Sequence, residues 1–207
     1  MPTIEDRIRS GGATLAFDTN AIIGFSRTDR RITFGAFWTV CDDVNRLRGE
    51  AWEPLDLSVV VPALAAMEVL HDLRTSRSEQ GLSFDHAVVR QNLETKKAML
   101  APFHDDAAMR ASEVLHRWFP EAEAWRIAKR ARCLEVLGLP DAPGGAGLAS
   151  IDWAIAAQAE TEGWILVTAD TRAEFDRVSS KIRRSDLRRI LDTLLRERGL
   201  LDGSPAR

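Results

Sequence analysis

Apolar residues along the chain fall into short unbroken runs, separated by longer stretches with helical spacing. Ala13-Thr-Leu-Ala-Phe17, Leu57-Ser-Val-Val-Val61 and Trp164-Ile-Leu-Val-Thr168 are compact runs that read as strands. Unbroken runs of this kind suit parallel strands buried on both faces. Thr3 caps a short helix over residues 3–10, which Gly11-Gly12 ends. Ala21 to Phe25 reads as the first turns of a helix. Phe34, Phe37, Trp38, Cys41, Val44 and Leu47 recur every three or four residues and predict a helix from about Thr33 to Arg48. Pro62 stops the second strand and opens a helix from about Ala63 to Arg74. The polar stretch Thr75 to Gly81 reads as a loop.

From Ser83 to Gly138 the pattern is mostly helical, broken by Pro102 and Pro120, with Lys97 to Ala101 as a short strand inside it. Pro140 to Gly147 is loop-like. Ser150 is placed to cap a helix from Ile151 to Glu162, closed by Gly163. Ile182, Leu187, Ile190, Leu191, Leu194 and Leu195 line one side of an amphipathic basic helix at about 181–198. Strands alternating with helices imply an α/β protein with a central parallel sheet. Only three strands are plain, so the apolar faces at Val114, Leu115 and Trp118, and at Leu187, Ile190 and Leu194, are expected to bury partly against a homodimer mate or another protein.

At 207 residues the chain can bury one sizeable core with an insertion, but not two ordinary domains. Hydrophobic residues at 45% and a net charge of −3 exclude global disorder and a basic coat for nucleic acid. Cys41 and Cys133 are too few for a disulfide framework and read as reduced, semi-buried thiols. No apolar run approaches the roughly 18–20 residues of a membrane span. The N-terminus lacks the basic and apolar regions of a signal peptide. A cytoplasmic protein with no membrane partner is expected.

The candidate chemistry lies in acids at element junctions. Asp18 follows the first strand, and Asp170 follows the third after one alanine. Asp152 is expected in the first turn of the helix before that strand. Glu68 sits among Leu64, Ala65, Ala66, Met67, Val69 and Leu70, where a carboxylate needs a reason. Each has a structural explanation alone: Asp18 as a helix cap, Asp152 on a helix dipole, Asp170 in a turn. Together at one sheet edge they would repel one another, and a divalent cation removes that cost. Mg²⁺ or Mn²⁺ takes oxygen ligands, binds phosphate oxygens and activates water for phosphodiester hydrolysis. His71, His86, His104 and His116 have no zinc spacing, and Gly145-Ala-Gly147 lacks the third glycine of a dinucleotide loop.

Leu15-Ala-Phe-Asp-Thr-Asn20, Val61-Pro-Ala-Leu-Ala-Ala-Met-Glu-Val-Leu70, Ser150-Ile-Asp-Trp-Ala-Ile-Ala-Ala-Gln-Ala159 and Ile165-Leu-Val-Thr-Ala-Asp170 agree in order and spacing with the PIN-domain ribonucleases. The chain resembles that family, and in style its VapC-type toxins of toxin–antitoxin pairs. The resemblance covers about residues 13–75 and 148–178. It implies a three-layer α/β/α sandwich over 1–207 as a single PIN-like domain, with a mostly helical insertion at about 76–147. It also implies Mg²⁺- or Mn²⁺-dependent cleavage of RNA and restraint by an antitoxin protein. The acid ligands it implies are Asp18, Glu68, Asp152 and Asp170, supported by Asn20 and Thr168. Glu174 stands three residues beyond where an outer acid is usual, and Asp176 is an equal candidate.

Arg126, Lys129, Arg130 and Arg132 form a basic cluster that could track an RNA backbone. Trp153, beside Asp152, is the aromatic residue placed to stack a base. Two other functions fit the same residues: a non-catalytic PIN-like module that binds RNA or protein, and a structure-specific DNA nuclease.

Overall fold

The computed structural model describes residues 2–25, 32–49, 53–128, 146–169 and 173–201. The chain opens with helix α1 (Ile4–Ser10), whose Thr3 and Asp6 form a reciprocal capping box. Gly11 ends it at φ +76, and a Cβ there would stand 3.0 Å from the Asp56 backbone nitrogen, so only glycine fits. Strand β1 (Ala13–Phe17) follows, then α2 (Thr19–Ile22), the short hairpin β2 (Gly24–Phe25) and β3 (Ile32–Thr33), and α3 (Gly35–Gly49). Next come β4 (Leu57–Pro62), α4 (Ala63–Glu79), α5 (His86–Thr95), β5 (Ala98–Ala101) and α6 (Asp105–Trp118). Helix α7 (Ala146–Thr161), β6 (Ile165–Thr168), α8 (Ala173–Asp176), β7 (Lys181–Arg183) and α9 (Arg184–Glu197) complete the described order.

Five strands form one sheet in the order β5-β4-β1-β6-β7, and every pairing in it is parallel. Side chains alternate cleanly across it, as the period of a strand requires. Leu15, Phe17, Leu57, Val59, Val61, Ile165 and Val167 face one layer, built from α1, α3 and α9. Ala16, Val60 and Leu166 face the other, where Ile155, Ala156 and Ala159 of α7 and Phe175 of α8 cover them. The architecture is the three-layer α/β/α sandwich with a central parallel sheet.

Several expected elements shift. Helix α4 runs through Thr75 to Glu79, where a loop was expected. Helix α7 begins at Ala146, so Ser150 lies inside it and is not its cap, and Gly147 is helical. Residues 181–183 are the edge strand β7, and the basic helix starts only at Arg184. The short strand expected over Lys97 to Ala101 is β5, which starts at Ala98 and pairs with β4, so the segment expected as an insertion supplies an edge of the sheet.

The apolar faces expected to need a partner are covered from within. Leu187, Ile190 and Leu194 bury against the sheet and α3, and Val114 and Trp118 pack on α7. Each such side chain contributes about 1.5–3 kcal/mol when taken from water. Among the described residues, the large apolar side chains that stay exposed include Met67, Leu82, Val88, Met99 and Leu100, on α4, α5, β5 and their connections. Cys41 is fully buried on α3, not semi-buried, and burial, with Asp42 adding to it, pushes its thiol up to about 12. It is an inert core residue. Cys133 lies outside the described residues.

Asp43, also on α3, is buried against α9, where its Oδ2 stands 2.9 Å from Arg188 Nη1 as an ion pair without hydrogen-bond alignment. Burial raises its pKa above the ordinary carboxyl value; Arg188 lowers it in part, and Asp192 raises it. A raised carboxyl pKa means that stability is full below the unfolded-state value and is lost as pH rises through the folded one. Asp43→Asn should therefore match the native chain near pH 3, below the unfolded-state value, and exceed it near pH 7. Urea unfolding at both pH values checks this, and an equal loss at both would refute it.

Candidate active site

The site is built at the carboxyl ends of the parallel strands, the edge where open α/β sheets place ligands. Asp18 leaves the end of β1 while its backbone N–H still donates to Val167 O of β6 at 3.1 Å. Its carboxylate then caps α2: Ala21 N–H donates to Oδ1 at 2.7 Å. The Thr168 hydroxyl, at the end of β6, donates to Oδ2 at 2.5 Å. Asp18 is thus held from two sides at 2% exposure, and Thr168 is fully buried. The capping role foreseen as a purely structural explanation is real, and it also fixes the carboxylate.

Glu68 lies in the second turn of α4, half-buried, and its Oε2 accepts from the Thr19 hydroxyl at 2.5 Å. Thr19 is therefore the residue that ties Glu68 to the Asp18 turn. Sequence reasoning passed over it, although it stands inside Asp-Thr-Asn. Asn20 is exposed on α2. A second unforeseen contact reaches the same turn from α9: Arg184 Nη1 donates to Ala21 O at 3.0 Å. Nothing in the local sequence marked it.

Asp152 is buried in the second turn of α7, not the first. Its neighbour Trp153 is 4% exposed, at 4.7 Å from the Phe119 ring and 6.0 Å from that of Trp118. It is a packed core residue and offers no face to a base. Asp170 lies outside the described residues. Glu174 is on α8, while Asp176, on the same helix, is engaged by Lys181 at the surface. Of the expected basic cluster, Arg126 pairs with Glu123 at 2.8 Å, and Lys129, Arg130 and Arg132 lie outside the described residues.

The oxygen-only donor set suits a hard divalent ion and offers no soft ligand. Among the described residues no group of three His, Cys, Asp or Glu side chains is gathered at metal-holding distance. Mg²⁺ needs only one or two carboxylates, completing its shell with water and phosphate oxygens, so the fixed Asp18 and its neighbours fit it. An open groove of about 550 Å³ runs along a different stripe of α4, past Met67, Leu70, Arg74 and Leu100, and is not lined by Asp18, Glu68 or Asp152. Among the described residues no helix is long and apolar enough to cross a membrane.

The chain matches the PIN domain family over residues 15–181. It belongs to that family, whose members are in general nucleases and typically use divalent metal ions. Among solved structures it is similar to VapBC2 from Rickettsia felis, crystallised bound to a DNA fragment from their promoter. Identity is 12%, over 82% of this chain and 96% of that one, with a TM-score of 0.39. No curated protein matches.

Proposed function

We propose that the protein is a divalent-metal-dependent endoribonuclease, and the toxin of a toxin–antitoxin pair. The observation that carries the reading is the fixation of Asp18, with Glu68 tethered beside it, at the carboxyl edge of a PIN-domain sheet. In this reading Asp18, Glu68, Asp152 and Asp170 hold Mg²⁺ or Mn²⁺, and Asn20 and Thr168 support them. Glu174 is a further supporting acid in this reading. A carboxylate has about four lone-pair sites. The Ala21 N–H and the Thr168 hydroxyl each occupy one on Asp18, one on either oxygen. Their second effect is to stop the carboxylate rotating, so that no reorganisation is needed when substrate arrives. Thr19 holds Glu68 through Oε2, and among the described residues no hydrogen bond occupies Oε1. The bound ion supplies positive charge to phosphate oxygens and lowers the pKa of a water molecule. Water is then the nucleophile, and products carry a 5′-phosphate. The toxin role, with an antitoxin protein or a second copy as partner, rests on the likeness of the four motifs to VapC-type toxins.

End-labelled RNA and single-stranded DNA of one sequence, incubated with Mg²⁺, Mn²⁺, Ca²⁺ or excess EDTA, test the reading. RNA should be cut with Mg²⁺ and Mn²⁺, hardly with Ca²⁺, and not in EDTA. Cleavage in EDTA, or a 2′,3′-cyclic phosphate end, overturns the acid-site mechanism. Cutting of DNA alone replaces the RNA reading. Binding without cutting in any metal leaves a non-catalytic module.

A further inference from the structure

We propose that Arg184 is a substrate-binding residue of this site. One N–H of its guanidinium holds α2, and the others take a backbone phosphate of the nucleic-acid strand. The inference rests on the nuclease reading and deepens it.

Arg184 is the first residue after β7, whose Arg183 is in parallel register with Thr168 of β6. It therefore stands at the same sheet edge as Asp18 and Thr168. Its Nη1 donates to Ala21 O at 3.0 Å, in a half-buried setting. Ala21 is fully buried, and its N–H donates to Asp18 Oδ1. A single residue thus connects the acid to the guanidinium: its amide serves Asp18, and its carbonyl serves Arg184.

That carbonyl uses one of five guanidinium donors. Other arginines of α9 have carboxylates: Arg188 pairs with Asp43 and Asp192, and Arg189 lies 3.9 Å from Asp186. Among the described residues no carboxylate lies within ion-pair distance of Arg184. A half-buried cation with only a neutral acceptor has lost hydration without gaining a counter-charge. A phosphate restores the balance, because its oxygens match the planar donor fork in a bidentate pair. The site also needs such a cation. Its carboxylates repel a phosphodiester, and a cation pinned to the Asp18 turn offsets that repulsion and sets the register of the strand. Contact with a phosphate carries no base information, so Arg184 contributes affinity and position, not sequence preference.

The experiment uses the full chain and a short RNA that the native protein cuts, with binding measured in Ca²⁺ and turnover in Mg²⁺. Arg184→Gln should weaken RNA binding by about 5- to 50-fold and leave kcat within a few-fold. The slope of log Kd against log salt should fall by about 0.7, the value of one phosphate contact on a single strand. Single methylphosphonates, placed in turn along the RNA, should reveal one position that costs the native protein affinity and costs Arg184→Gln nothing more. If Arg184→Gln does not fold, Arg184→Lys serves. It keeps the charge, so the salt slope should stay while affinity falls and the penalty at that one position shrinks. An unchanged salt slope in Arg184→Gln, lost kcat at constant binding, or no position with a non-additive penalty overturns the proposal, leaving Arg184 as a tether of α2. A native protein that neither binds nor cuts RNA overturns the nuclease reading itself.

Discussion

Asp18→Asn is expected to reduce RNA cleavage by about 10²–10³-fold or more, while the fold stays intact. The loss follows from charge. An amide oxygen holds a divalent cation far less well than a carboxylate, and volume is conserved. The intact fold follows from the hydrogen bonds. Asparagine caps helices about as well as aspartate, so its Oδ1 keeps the Ala21 N–H. Its amide then faces Thr168, whose hydroxyl can turn from donor to acceptor. Repulsion among the acids also falls. Unfolding should move by no more than about 1 kcal/mol in metal-free buffer. Asp152→Asn should lose cleavage in the same way. Assay of both variants, with urea unfolding alongside, decides the matter: cleavage retained in both removes the acid-site mechanism.

Phe17→Ala is expected to cost about 3–5 kcal/mol. Phe17 has no exposed surface, and its ring meets Phe37 of α3 edge-on at 5.1 Å and 69°. Its neighbours are sheet and helix residues on a close-packed face, so a cavity there cannot collapse without moving β1. Against a typical total of about 5–15 kcal/mol, such a loss leaves the protein marginal. Activity should fall with it, because Asp18 is the next residue along the same backbone. Chemical denaturation gives the number, and a loss under about 1 kcal/mol would show that the layer repacks freely.

The sheet centre was legible because β1, β4 and β6 are short, largely β-branched or aliphatic runs buried on both faces and bounded by Gly, Asp or Pro. The edges were harder to read. In β7 only Ile182 is buried, and three residues of Lys-Ile-Arg carry too little alternation to separate from the helix that follows. The end of α4 is polar all round, so its helicity rests on propensity and its own hydrogen bonds, and composition there mimics a loop. Ser150 shows the opposite error: a good capping residue is no cap where the helix has already begun. At the site, strand ends located Asp18 and Thr168. The Thr168 bond to Asp18, and the Arg184–Ala21 and Thr19–Glu68 bonds beside it, join residues 150, 163 and 49 positions apart, and no local pattern encodes such pairings. Trp153 was misplaced for a related reason. Adjacency to an acid says nothing about exposure, which Trp118 and Phe119 decide from another helix and its exit.

The order in which the ribosome delivers these parts has a bearing on the cell. Asp18 emerges early, yet its hydroxyl donor on β6 and the arginine that grips Ala21 arrive only near the end of synthesis. At about 5–20 residues per second, the interval is on the order of ten seconds. Throughout it the acid has its local Ala21 N–H but lacks the Thr168 hydroxyl that fixes its other oxygen, and β1 lacks one of its two neighbours in the sheet. A polypeptide still attached to its ribosome, in the company of its own messenger, carries the aspartate but not its fixed geometry. Fragments that stop short of β6 share that state.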